Sequence, residues 1–305
     1  MIKRSTYYIS LSIWSAIYIL GTLVAPLTQT RFNITPAKTH LLQVSFALPI
    51  VLIWAAAVYG AERFKTYALS IKHDRDGEAL NRVANGLMVL ILSVMSGGLS
   101  SILRPWALRD GWLKLFTIAF NYLQVLLPLI AFYIMYSGSK QLLETLPKKA
   151  KRSTWWPVIM IMIPIAAVYT VVVFNYAYRN HTPDAKTYSS FYIPDYLIAL
   201  TLMLPYLVGW TLGLKAALNI ANYKSQVKGI LYRSAMHRFV VGILIIISFA
   251  VLLQMLVALS TYLSHAGLGV ILLFIYLIVL TYSVGFLVLA SGSKKLSALE
   301  RVKVK

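Results

Sequence analysis

The chain of 305 residues contains no cysteine. Disulfides, thiolate metal sites and a cysteine nucleophile are therefore excluded. Acid is scarce: nine Asp and Glu stand against 29 Lys and Arg, a formal net charge of +20. Charged residues of both signs make up 12% of the chain, where soluble domains carry about a quarter. Catalytic signatures are missing too. There is no G-x-S-x-G, H-E-x-x-H or G-x-x-x-x-G-K, so the nucleophile elbow, the zinc-protease helix and the P-loop are not encoded. The five histidines, His40, His73, His181, His237 and His265, form no i,i+4 metal pair. No catalytic, cofactor-binding or metal-binding residue follows from the sequence, and no cofactor is expected.

What the chain has is apolar length. It is 59% hydrophobic, with a mean hydropathy of +0.72. A soluble fold of this size could not cover that much apolar surface, so the excess is expected to face lipid or other spans. In a soluble protein, +20 would suggest nucleic acid. Here the basic residues sit in short segments between apolar runs, so anionic lipid headgroups are the expected partner, and nucleic acid is not.

Eight apolar runs are long enough to cross a bilayer, at roughly 7–26, 41–61, 86–103, 115–136, 155–178, 196–214, 239–259 and 268–290. Backbone in lipid must be hydrogen-bonded internally, and the runs lack the alternation of barrel strands, so helices are predicted. The first run follows Met1-Ile-Lys-Arg4 and resembles a signal peptide. It is longer than a usual signal core and is read as a retained span. With both termini on one side, that side holds 22 Lys and Arg and the other holds 7. This predicts cytoplasmic termini and an even number of spans, in a plasma (inner) membrane. The fold class is thus all-α, a polytopic transmembrane bundle.

An internal repeat divides the chain into four-helix units at 1–150 and 151–305. At a shift of 156, residues 48–86 meet 204–242 without gaps and nine of 39 positions are identical, where chance gives roughly two or three. Pro49, Trp54, Tyr67 and Lys72 meet Pro205, Trp210, Tyr223 and Lys228. A second match sets Ser137-Gly138-Ser139-Lys140 against Ser291-Gly292-Ser293-Lys294. A weaker one sets Thr35-Pro36 against Thr182-Pro183. Four spans per unit is an even number, so the units should run parallel about an axis along the membrane normal.

Candidate sites are few. Phe64, Tyr67, Ala68 and Ile71 recur at helical spacing past the second span, as do Ile220, Tyr223 and Val227 past the sixth. Helices continuing beyond the apolar runs over 62–75 and 218–230 are predicted, with Asp76-Gly77 breaking the first. The segments 62–82 and 215–238 are candidate surfaces for a protein partner or for headgroups. Asp74, Asp76 and Glu78 lie among Lys72, Arg75 and Arg82 and read as a solvated ionic loop. The two Ser-Gly-Ser-Lys segments read as glycine C-caps followed by a headgroup lysine. Inside the runs only uncharged polarity remains, with Glu62 and Asp195 at span ends. Asn121, Gln124 and Gln254 are the candidate intramembrane polar residues, as interhelical glue or as the lining of a solute path. Gly209-x3-Gly213 reads as a site of close helix packing. Three function classes follow, in order. The first is a non-catalytic scaffold, sensor or complex subunit working through basic cytoplasmic loops. The second is a transporter or channel for a small neutral or anionic solute, with its path between the units. An embedded enzyme comes last.

Overall fold

A computed structural model describes residues 4–24, 36–71, 75–107, 111–146, 154–179, 195–226, 230–263 and 268–303. Apart from a few turn residues at segment ends, they form eight α-helices, with no strand among the described residues: α1 Arg4–Val24, α2 Pro36–Ser70, α3 Arg75–Ala107, α4 Gly111–Glu144, α5 Trp156–Arg179, α6 Asp195–Gln226, α7 Ile230–Leu263 and α8 Leu268–Lys303. Among the described residues, three stretches are long and apolar enough to cross a bilayer: Ala47–Ser70, Arg75–Ser96 and Tyr122–Glu144. Two shorter ones are Tyr8–Gly21 and Trp156–Val171. The chain is therefore helical and of membrane type.

Pro49, Pro128, Pro164 and Pro205 all sit inside helices that continue past them. In water an interior proline costs about 3 kcal/mol. In a bundle, side chains of neighbouring helices can satisfy the carbonyl that proline strips of its donor.

Six helices close a ring in which α2 packs on α3, α3 on α4, α4 on α6, α6 on α7, α7 on α8, and α8 back on α2. Helix α1 lies outside against α2 and α3, and α5 lies outside against α6 and α7. The fourth helix of the chain thus packs on the sixth, and the eighth on the second.

Several of these seams depend on glycine, those of α3 with α4 and of α7 with α8 most evenly. A Cβ on Gly138 of α4 would stand 2.6 Å from the Ala79 carbonyl of α3, and one on Gly86 2.6 Å from that of Ala131. Between α7 and α8, a Cβ on Gly292 would stand 2.8 Å from the Ala235 carbonyl, and one on Gly242 2.8 Å from that of Gly285. Such backbone approach maximises dispersion contact, the main attraction between helices that share an apolar solvent. The expectation that Gly138 and Gly292 cap their helices is therefore corrected. Helix α4 runs on to Glu144 and α8 to Lys303, and both glycines are interior packing residues. Gly209 and Gly213 on α6 behave as expected, since both lie against Phe132 of α4.

The outer surface is apolar. Ile9, Ile13 and Leu20 on α1, Leu126, Ile130 and Tyr133 on α4, Met160 and Ile163 on α5, and Leu280 and Leu287 on α8 are all exposed. A soluble monomer rarely shows apolar patches beyond a few hundred Å². A belt spread over these helices is suited to lipid.

Candidate interaction face at the basic end

The last turns of α2 and α6 and the first turns of α3 and α7 lie at the same end of the bundle as the last turns of α4 and α8. The helices reach it intact: α2 continues to Ser70 and α6 to Gln226, past the apolar runs, as the spacing of Tyr67 and Tyr223 predicts. The expected break at Asp76-Gly77 is displaced. Both residues belong to the first turn of α3, and the chain bends earlier, at Ile71. A Cβ on Gly77 would overlap the Ile71 carbonyl, so only glycine permits so close a return.

At this end the two parts of the chain cross. The Tyr67 hydroxyl on α2 lies 3.2 Å from the Tyr232 hydroxyl on α7. The Tyr223 hydroxyl on α6 donates a short hydrogen bond to Oδ2 of Asp76 on α3. Asp76 is thus not part of a freely solvated ionic loop, whereas exposed Glu78 pairs with Arg82 at 3.1 Å, as such a loop would. That exposed pair stabilises by at most about 1 kcal/mol.

Beneath the tyrosines, Phe64 of α2 stacks on Phe239 of α7, with centroids 4.2 Å apart and planes at 27°. Phe64, Phe239, Val83 and Ile220 are all fully buried. An aromatic pair of this kind adds about 0.5–1.5 kcal/mol beyond its buried area. Buried Asn219 of α6 donates to the Ser139 hydroxyl of α4 at 3.2 Å, and Ser139 in turn donates to the Tyr136 carbonyl.

Among the described residues, one acid and one lysine are buried near this end. Glu62 of α2 accepts from Thr66 at 3.0 Å and from Tyr8 of α1 at 3.5 Å, with the Arg63 guanidinium 3.9 Å away. Lys215 of α6, just past the apolar run 196–214, donates to the Thr154 carbonyl at 2.7 Å and stands 4.7 Å over the Trp155 ring. Burial lowers the Lys215 pKa from its ordinary value. Both groups hold an outer helix region against the ring, α1 through Glu62 and the entry to α5 through Lys215.

The residues that carry the internal match lie in comparable surroundings. Trp54 and Trp210 are both buried, and each meets a tyrosine edge-on. Tyr18 lies 5.0 Å from Trp54 at 60°, and Tyr169 lies 5.1 Å from Trp210 at 65°. Neither indole N–H has a hydrogen-bond partner. Pro49 is buried in α2 and Pro205 half-buried in α6. Lys72 and Lys228 lie outside the described residues.

Of the candidate polar residues inside the runs, Asn121 is on α4 and Gln254 on α7, but their side chains lie outside what is described, as does that of Asp195. Gln124 is half-buried, and its main-chain carbonyl is the group that attracts donors. The Ser93 hydroxyl of α3 donates to it at 3.3 Å and the Tyr206 hydroxyl of α6 at 3.4 Å. The cause lies four residues on. Position 128 is proline, so the helical N–H that would bond this carbonyl does not exist. Three helices meet at that notch.

No group of three or more metal-binding side chains occurs among the described residues. No family model matches the chain, and no curated protein or solved structure matches it either.

Proposed function

We propose that the chain is a non-catalytic multi-pass membrane protein: a scaffold, sensor or complex subunit that acts through its basic end. In this reading all eight helices span the membrane and both termini are cytoplasmic. Residues 1–150 and 151–305 are tandem four-helix units in parallel orientation, related by a pseudo-twofold axis along the membrane normal. Several contacts support the repeat. Ala131, Met135 and Phe132 of α4 pack as do Gly285, Leu289 and Phe286 of α8, each 154 residues on. The exposed Leu48 and Leu52 of α2 likewise stand 156 residues before the exposed Leu204 and Val208 of α6.

One observation carries the functional reading: where α2 meets α7, the bundle is filled by Phe64 stacked on Phe239. A filled, crossed junction suits a rigid platform better than a conduit. The basic segments 62–82 and 215–238 would then present the binding surface, to anionic headgroups or to a protein partner. Reconstitution tests this. The purified chain in vesicles is expected to pass no small neutral or anionic solute above protein-free controls, while a defined partner co-purifies with the intact chain and is lost when exposed charges such as Arg75 and Arg233 are replaced. Specific solute flux would favour the second reading.

That second reading, a path for a small solute between the units, draws on the closed ring of six helices. Such a ring has an axis along which a path could run, and the aromatic layer would then be its cytoplasmic closure.

A further inference from the structure

The two faces at the basic end differ in charge although they are built alike. On α3 and α4 the exposed cations Arg82 and Lys140 stand beside exposed Glu78 and Glu144. On α7 and α8 the positions of those two acids, shifted by 156 and 154, hold Ser234 and Ala298. Gln141 of α4 is likewise answered by Lys295 of α8. No Asp or Glu occurs between Ile230 and Leu299, and the one acid of α8 is Glu300, beyond Lys294 and Lys295. Arg238, its guanidinium 2.6 Å from the Ser291 hydroxyl, is thereby held against α8, one turn from Lys294 and Lys295.

Above these cations runs an apolar stripe. Leu273, Leu280 and Leu287 are exposed at seven-residue spacing, with Tyr276, Leu277 and Val284 between them, and the next step of seven reaches exposed Lys294. Seven residues are about two helical turns, so these side chains share one face. Leu287 and Lys294 are then about 10 Å apart along the helix. An acyl chain followed by a phosphate has that polarity and that scale.

We propose that the α7–α8 face is a selective site for an anionic phospholipid. Its acyl chain would lie along the Leu273–Leu287 stripe, and its phosphate would be held by Lys294, Lys295 and Arg238. The corresponding face of α4 has the same apolar stripe, through Leu126, Ile130 and Tyr133, but its acids leave it without selectivity. The proposal rests on the reading that the basic end borders the cytoplasmic leaflet.

The test uses the full-length chain, whose lack of cysteine permits single labels. A bimane is attached at Leu287→Cys on α8 or at Tyr133→Cys on α4. The protein is reconstituted in vesicles in which brominated acyl chains are carried either by phosphatidylglycerol or by phosphatidylcholine. On α8 the phosphatidylglycerol chains are expected to compete several-fold better, and K294Q/K295Q should bring that preference close to one. On α4 the preference should be near one throughout. Equal preference on the two faces, or a preference on α8 that survives K294Q/K295Q, would overturn the site. Absence of quenching by either lipid at both labels would instead remove the membrane reading on which it rests.

Discussion

The hydroxyl of Tyr206 on α6 donates to the main-chain carbonyl of Gln124 on α4 at 3.4 Å, where Pro128 has removed the helical donor. Ser93 of α3 reaches the same oxygen. A proline that weakens one helix thereby becomes a junction among three. This predicts a coupling. S93A and Y206F together should destabilise the protein by about 1–3 kcal/mol, the usual cost of an unsatisfied buried acceptor. In a P128A background, where residue 128 regains its N–H, the same pair should cost markedly less. Thermal unfolding in detergent of the variants in this cycle measures the coupling, and strict additivity would show that the proline is not the cause.

The glycine seams give a second expectation. A Cβ on Gly138 or Gly292 would press on a backbone carbonyl rather than on a movable side chain. G138A and G292A should each cost about 1–3 kcal/mol, in the range of overpacked cores. If the two halves are equivalent, the two penalties should agree within about 0.5 kcal/mol. Gly209 is a contrast, since its nearest neighbour is Phe132 at 3.4 Å and G209A should be much milder.

These glycines also show how far the sequence could be read. Eight helices follow from the length and polarity of the runs, because a chain in lipid must pair its backbone internally and these runs lack the alternation of barrel strands. Two runs ended too early, however: those of α4 and α8 stop at residues 136 and 290, while the helices continue for about two and more than three turns, to Glu144 and Lys303. Gly138 and Gly292 fell just beyond the apolar runs and so resembled caps. The Gln124 notch was legible in principle, since a proline always frees the carbonyl four residues before it. The crossed bonds were not. Tyr67 and Tyr223 match each other, but their partners Tyr232 and Asp76 occupy matching positions with different chemistry, and a comparison by identity passes over them.

That difference separates the two crossed bonds in strength. Tyr223 donates to a carboxylate and Tyr67 meets another phenol. Hydrogen bonds to charged groups contribute about 1.5–3 kcal/mol and neutral ones about 0.5–1.5. Y223F should therefore destabilise more than Y67F, and the two should add, because their hydroxyls meet different residues, Asp76 and Tyr232. D76N in the Y223F background should cost little further. A penalty for Y67F equal to or above that for Y223F would mean that the carboxylate contributes nothing at this junction.

The exchange of α4 and α8 between the two parts of the chain can be tested covalently. A Cβ on Gly60 of α2 would lie 3.1 Å from the Phe286 Cβ of α8 and 2.7 Å from the Phe286 carbonyl, so the seam must open slightly for a bridge to form, toward the Cβ separation of about 3.5–4.5 Å in a disulfide. The native chain has no cysteine, so G60C/F286C creates a single possible bridge. With a protease site inserted after residue 150, cleavage should yield two fragments under reducing conditions and one full-size band after oxidation. A control pair on exposed positions of helices that share no packed seam, Leu52→Cys with Val208→Cys, should give two fragments in both cases. Failure of G60C/F286C to join the fragments, in protein that elutes as a folded species, would place α8 away from α2 and break the ring. The bridge also bears on function. A rigid platform should keep its partner when α2 and α8 are tied together, whereas a path that works by parting the two units should lose its flux on oxidation and regain it on reduction.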